Sequence, residues 1–273
     1  MQLTTTFPIP AAPVLMNHRS KVLTMGSCFA ASMGARLSKL PLEVMTQPFG
    51  TLFHPFAISR ALSGEVSEEV YEQGGYFLHP DYHSLFTASS SEELMTDIHS
   101  VAAEVSSFVS SVDFLILTWG TSFSYFDKHL NKTVANCHKM PADRFEKRLS
   151  TVEEIVRDFN SLLSTLPSTT QVVLTVSPVR HTKDGMQENQ VSKSTLRVAA
   201  DIVSKQFENV HYFPAYEIML DELRDYRFYE ADMIHPNEQA QDYIWERFKA
   251  AYFDSELLSI SKKWDSIYRT LGH

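Results

Sequence analysis

Short, nearly uninterrupted apolar runs alternate along this chain with longer stretches in which apolar residues return every third or fourth position. Val22 to Met25 is the first such run, ending at Gly26, after which Ala30, Ala31, Met33, Ala35 and Leu37 give a helix-forming pattern. Leu42 to Thr46 reads as a second strand emptying into Pro48-Phe49-Gly50-Thr51, and Pro55 to Leu62 as a short helix. Residues 64–90 show no clear period, with Gly74-Gly75, Pro80 and the aromatic Tyr76-Phe77-Leu78-His79; so long a stretch suggests a functional or lid-like loop. From Glu92 to Val109, Leu94, Ile98, Val101, Val105 and Phe108 share one helical face. The clearest strand follows, Asp113 to Trp119, whose Phe114-Leu115-Ile116-Leu117 run predicts burial on both faces.

Past Gly120-Thr121-Ser122, the Asn131-Lys132 turn between Tyr125-Phe126 and Thr133-Val134 predicts an inserted hairpin near residues 121–140. Phe145, Leu149, Val152, Ile155, Val156 and Phe159 then predict one helix from Asp143 to about Leu163. Val172 to Val176 is the fourth strand, followed by Ser177-Pro178-Val179-Arg180-His181, a polar loop to Gln190 and a helix from Ser192 to Gln206. Val210 to Phe213 is a fifth strand and Pro214 to Leu223 a short helix; Pro236 opens a helix to about Phe253, and Leu257 to Leu271 is terminal. Strands alternating with helices at this spacing predict right-handed βαβ units: an α/β fold, a three-layer α/β/α sandwich on a mostly parallel sheet of about five strands. No repeat or linker interrupts it, so residues 1–273 read as a single domain with a proline-rich lead-in. Ligands of such sheets bind at the carboxyl ends of the strands, where Cys28, Gly50, Gly120 and Ser177 all fall.

With 44% hydrophobic and 21% charged residues the chain is globular, and its net charge of −9, without clustered Lys and Arg, argues against a nucleic-acid partner. The start, Met1 to Leu15, has no basic region and is broken by Pro8, Pro10 and Pro13, so neither a signal peptide nor a membrane partner is expected, and a cytoplasmic location is. The two cysteines, Cys28 and Cys137, are too few for a disulfide framework and are expected as free thiols. Eleven histidines fall in no metal-ligand spacing, so no metal and no cofactor is expected. Of these, His54, His79, His83 and His211 read as structural or exposed.

Two stretches carry chemistry. The strand, turn and helix around Gly26-Ser27-Cys28 present a small nucleophile above the carboxyl end of a strand, where the free N–H groups of a helix start converge. Asp232-Met233-Ile234-His235-Pro236 places a carboxylate where it can bond one ring nitrogen of His235, leaving the other to take a proton from that nucleophile. Either pattern also has a plain structural reading, Cys28 as a small buried hydrophobe and Asp232 as a surface acid.

Gly26-Ser27-Cys28-Phe29-Ala30 spells the motif that gives the GSCFA family its name, and the chain resembles that family, a branch of the SGNH (GDSL-like) hydrolase superfamily. Pro48 to Thr51, Trp119-Gly120-Thr121, Ala135-Asn136-Cys137-His138-Lys139, Ser177 to His181, Ser192-Lys193-Ser194 and Asp232 to Pro236 look like further family positions. The superfamily's first block is Gly-Asp-Ser with serine as nucleophile; the resemblance therefore implies Cys28 as nucleophile with Ser27 at the Asp position, and Asp232 and His235 as the matching last block. A one-residue shift would make Ser27 the nucleophile instead.

The chain departs from that pattern twice. The nucleophile is a thiol, whose pKa a helix N-terminus and an imidazole are expected to lower. The third block, Gly-x-Asn-Asp elsewhere, is Gly120-Thr121-Ser122-Phe123, so the oxyanion-donating Asn is missing, worth about 3 kcal/mol in other systems. Candidate replacements are the Cys28 and Gly50 backbone N–H groups with Ser122 or Asn136 as a third donor. Gly120, Arg180, His181 and Lys139 are candidate substrate-binding residues, the cations for an anionic group. Two functions follow. One is a hydrolase or acyltransferase on a small-molecule or glycan ester or thioester through Cys28, His235 and Asp232, the glycan being an analogy with SGNH-like proteins of polysaccharide modification. The other is a catalytically degenerate module that binds an anionic or carbohydrate ligand.

Overall fold

The computed structural model describes residues 4–271. In chain order the elements are β1 (Lys21–Gly26), α1 (Cys28–Leu37), β2 (Glu43–Thr46), α2 (Pro55–Ser63), β3 (Tyr71–Gln73), β4 (Tyr76–Leu78), β5 (Thr87–Ala88), α3 (Ser91–Val109) and β6 (Phe114–Trp119). There follow β7 (Phe123–Asp127), β8 (Lys132–Val134), β9 (Phe145–Leu149), α4 (Val152–Leu163), β10 (Gln171–Val176), α5 (Met186–Gln206), β11 (Val210–Tyr212), α6 (Ala215–Glu217), α7 (Glu238–Tyr252) and α8 (Ser255–Leu271). Five strands form one all-parallel sheet in the order β11-β10-β6-β1-β2.

Alternation along each strand divides its side chains between two apolar layers. Leu23 and Met25, Leu115, Leu117 and Trp119, and Val172, Leu174 and Val176 pack with α2 to α5; Val22, Phe114, Ile116 and Val173 pack with α1, α7 and α8 on the other face. Burial on both sides is why these strands are continuous apolar runs. From β1 the chain steps one way to β2 and then crosses to β6 on the other side of β1, so winding reverses between β1 and β6. A ligand crevice is expected at that reversal, beyond the carboxyl ends of the two strands. No helix among the described residues is long and apolar enough to cross a membrane.

Two small antiparallel sheets, β3-β4-β5 and β8-β7-β9, are added to this frame. The first replaces the irregular stretch expected over residues 64–90: its strands are two or three residues long, too short to leave a period. The second corrects the single helix expected from Asp143. Phe145–Leu149 pairs along β7 instead, and the helix begins at Val152, where Thr151 and Glu154 cap it reciprocally. Asn237 caps α7 one residue past Pro236, and α5 starts at Met186, six residues before the expected Ser192. The Ala215 helix continues into a π-helical stretch over Ile218–Glu222.

Candidate active site

The Gly26–Cys28 turn is fixed by several independent bonds. Gly26 has φ +134, and a Cβ there would fall on the Thr118 carbonyl, so only glycine fits. Its N–H donates to Gln47 Oε1 (2.9 Å), while Gln47 Nε2 donates to the carbonyls of Gly26 and Ser27 (both 2.9 Å). Ser27 is the N-cap of α1: its Oγ accepts from the Phe29 N–H (3.3 Å) and its hydroxyl donates to Ser177 Oγ (2.9 Å) in the interior. A hydroxyl so committed and buried is poorly placed to attack a substrate, which argues against the register that makes Ser27 the nucleophile. Cys28 is the first helical residue, exposed and with a free thiol.

Thr51 touches that thiol. Its hydroxyl hydrogen-bonds the Cys28 sulfur, and the neighbouring Leu52 N–H donates to the Gly26 carbonyl (2.9 Å), so residues 50–52 run beside the turn. The expected lowering of the thiol pKa does not hold in this conformation. Partial burial pushes it above its ordinary value, outweighing the Cys28 backbone N–H and the Thr51 hydroxyl, which pull it down, and no imidazole among the described residues is bonded to it.

The oxyanion candidates separate in the same way. The Cys28 N–H lies in the unpaired first turn of α1 and points at its own sulfur. Gly50, at φ +72, donates its N–H to the Gln47 carbonyl (2.8 Å), closing the turn at the end of β2, so that donor is taken. The Thr51 N–H, one residue on, has no acceptor among the described residues. Ser122 is fully buried and committed: its N–H donates to Ser192 Oγ (2.8 Å), its hydroxyl to the Ser192 carbonyl (3.3 Å), and its own carbonyl accepts from His54 Nε2 (3.3 Å). Asn136 accepts the His138 N–H (2.9 Å), and its backbone N–H donates to Pro80 O (3.0 Å), beside the segment that meets Phe49 and Gly50. Its amide nitrogen has no partner among the described residues.

Asp232 and His235 form the expected pair. His235 Nδ1–H donates to Asp232 Oδ2 (2.7 Å), and Asp232 Oδ1 accepts the N–H groups of Ile234 (2.8 Å) and His235 (3.0 Å). The imidazole and those N–H groups hold the carboxyl at about 2, well below its usual range. Both side chains are 44% exposed, and His235 Nε2 has no hydrogen-bond partner among the described residues. The loop reaches the sheet edge through the chain leaving β10, where the Arg180 N–H donates to the Ile234 carbonyl (3.2 Å).

Arg180 does not present a free cation. Its guanidinium lies 4.0 Å over the Tyr229 ring and donates to the Met233 carbonyl (3.4 Å), so it holds the loop that carries His235. His181 is half-buried, edge-on to Phe53 at 5.5 Å, and held neutral, with its pKa down at about 4, by burial and by the nearby Lys193 cation. Gly120 donates its N–H to the Phe53 carbonyl (2.8 Å) and packs against that residue. Lys139 is exposed on the Asn136–Met140 loop with φ +59, next to His138 at +46. His54 and His79 are buried: His54 caps α2, and His79 donates to the Ser67 carbonyl.

Gln47 and Thr51 are contacts of the Gly26–Cys28 turn that periodicity could not single out. Periodicity missed Lys193 too, a lysine with no exposure at all beside the site. Cavities of about 650 Å³ by α1 and α7 and about 680 Å³ between α2 and α4 are lined by none of these residues. No cluster of three or more His, Cys, Asp or Glu among the described residues is placed to hold a metal. The family model described as the GSCFA family matches residues 21–248, from the start of β1 into α7. No curated protein matches the chain.

Proposed function

We propose that this chain, which belongs to the GSCFA family, is a hydrolase or acyltransferase acting on an ester or thioester through Cys28, His235 and Asp232. The observation that carries the reading is the 2.7 Å Asp232–His235 bond, which engages Nδ1 and leaves Nε2 to take a proton, in a chain whose α1 begins with an exposed thiol. His235 Nε2 takes the thiol proton as sulfur attacks the acyl carbon, and Asp232 stabilises the imidazolium. The tetrahedral oxyanion is held by the Cys28 and Thr51 N–H groups, with the Asn136 amide as the further candidate donor. Collapse breaks the bond to the leaving group, which takes the proton back from His235 and departs, leaving a thioester on Cys28. Water or an acceptor hydroxyl then attacks, giving its proton to His235, which returns it to the sulfur as the thioester breaks. Because the resting thiol is protonated, the base must approach it in each cycle, and apo geometry looser than the reacting one is expected.

A second reading is favoured by one set of observations: the thiol is pushed up, and the Gly50 and Ser122 donors are used internally. These suit a module that binds a carbohydrate or anionic ligand without turning it over. Arg180, stacked on Tyr229, adds little to that role, so Lys139 is its remaining cation. Hydrolysis of p-nitrophenyl acetate, with trapping of the acyl-enzyme by mass, separates the two. Turnover and an acyl group on Cys28, both lost in Cys28→Ala by about 10³-fold or more, support the enzyme. Equal turnover in parent and Cys28→Ala overturns it.

A further inference from the structure

Lys193 lies in α5 and is wholly buried, and its Nζ donates to the Gly120 carbonyl (2.7 Å) and the Ser177 carbonyl (2.9 Å). Among the described residues no carboxylate is paired with it; the groups facing it are the neutral His181 imidazole and the Tyr216 ring, 5.8 Å away, whose phenol burial keeps protonated. An unpaired ammonium in a protein interior is costly, and lysine is among the residues least often placed there without a partner. The two carbonyls it holds are the first beyond β6 and β10, neighbouring strands on one side of the β1–β6 crevice. Ser177 in turn accepts the Ser27 hydroxyl (2.9 Å), and Ser27 caps the helix that begins with Cys28. One side chain thus connects the chain leaving β6, the chain leaving β10 and the cap of α1.

We propose that Lys193 is a positioning residue for Cys28, clamping the carboxyl ends of β6 and β10 so that Ser177 sets the Ser27 cap and hence the direction of the thiol; this rests on the reading of Cys28 as the reactive group. Burial brings the ammonium to about 7, yet a neutral amine still has two N–H donors for the two carbonyls, so the clamp survives its titration.

The test uses the full chain in a Cys137→Ala background, where Cys28 is the sole thiol. Iodoacetamide alkylation is followed from pH 6 to 9 beside thermal melting. Lys193→Met keeps the side-chain volume and removes the donors. Ser177→Ala keeps both Lys193 bonds, which go to backbone carbonyls, and removes the link to Ser27 together with the bond that Ser177 Oγ accepts from the Val179 N–H (3.3 Å). Both variants are expected to alkylate Cys28 with a displaced pH profile and a rate changed about tenfold. In Ser177→Ala the melting temperature stays within a few degrees of the parent. Lys193→Arg, which restores donors and charge, recovers part of the rate. Parent-like rate and profile in a folded Lys193→Met, or in Ser177→Ala if the first does not fold, overturn the proposal. Alkylation needs no acyl substrate. A displaced profile in a chain that hydrolyses no ester sinks the enzyme reading and leaves the positioning role in place.

Discussion

The turn that carries Cys28 and the loop that carries His235 are built in opposite ways. The turn is held by a glycine that admits no Cβ, by three bonds to Gln47 and by a buried Ser27 bonded to Ser177. The loop is exposed, bends through Met233 at φ +59, and is tied to the sheet edge by two contacts from Arg180 of 3.2 and 3.4 Å. Internally it is ordered by Asp232 and by the bond from Glu230 N–H to the His235 carbonyl (2.8 Å). The proposed nucleophile is therefore fixed and the proposed base adjustable. Any approach of imidazole to sulfur is made by the loop, whose few ties can be exchanged at small energetic cost.

The strongest way to break this contrast is to place the same kind of change in each region. Gly26→Ala forces a methyl group onto the Thr118 carbonyl at a backbone angle alanine rarely adopts, and should cost about 3 kcal/mol or more. At this chain length that lowers the melting temperature by roughly 6–12 °C. Met233→Gly, which relieves a positive φ in the exposed loop, should leave stability within about 1 kcal/mol of the parent. Calorimetry on the two proteins decides; equal melting temperatures mean that the turn is no more constrained than the loop.

Gln47→Leu sharpens the contrast with a smaller effect. It strips the Gly26 N–H and two carbonyls of their side-chain partner while keeping apolar bulk, and part-buried polar groups left unpaired cost about 2 kcal/mol. Urea unfolding should show a midpoint shift with little change in slope, and Cys28 alkylation should depart from the parent rate. A midpoint equal to the parent's would assign the rigidity of the turn to Gly26 and Ser27 alone.

How much of this was legible in the sequence follows from where each signal lies. The frame was readable because burial on both faces leaves uninterrupted runs such as Phe114–Leu117, and the ends of those runs marked Cys28, Gly50, Gly120 and Ser177. Asp232 and His235 were readable because their bond spans three residues of one loop. Phe145 and Leu149 misled because a spacing of four suits a helix face, and the deciding signal was the Thr151–Glu154 cap beyond them. Gln47 carries no local signal at all, and Thr51 and Lys193 are marked only by the likeness of Pro48 to Thr51 and Ser192-Lys193-Ser194 to family positions, which says nothing of what they touch. Each gains its role from a partner far away in the chain: Gly26 for Gln47, Cys28 for Thr51, Gly120 and Ser177 for Lys193. A lysine on a helix reads as solvent-facing until the fold closes over it.

The smallest expected effect concerns Arg180, and it bears directly on the adjustable half of the site. The sequence suggests this residue as a binder of an anionic substrate group; the structure stacks it on Tyr229 with one bond to Met233, behind the loop. The two roles leave different kinetic traces. A substrate-binding cation, once removed, raises KM and leaves kcat near its parent value. A residue that holds the base loop, once removed, lets His235 spend less time in reacting geometry, which lowers kcat with little change in KM. Arg180→Met should therefore reduce kcat for an acyl ester by roughly three- to tenfold, with a stability change under about 1 kcal/mol, since the ring stack and the bond to Met233 are both partly open to solvent. Arg180→Lys keeps the charge but not the planar stack, and should fall near the Met variant, not near the parent. A change confined to KM would return Arg180 to the substrate, leaving the loop with its backbone bond from Arg180 as its tie to the sheet edge and the contrast between a fixed turn and an adjustable loop sharper still.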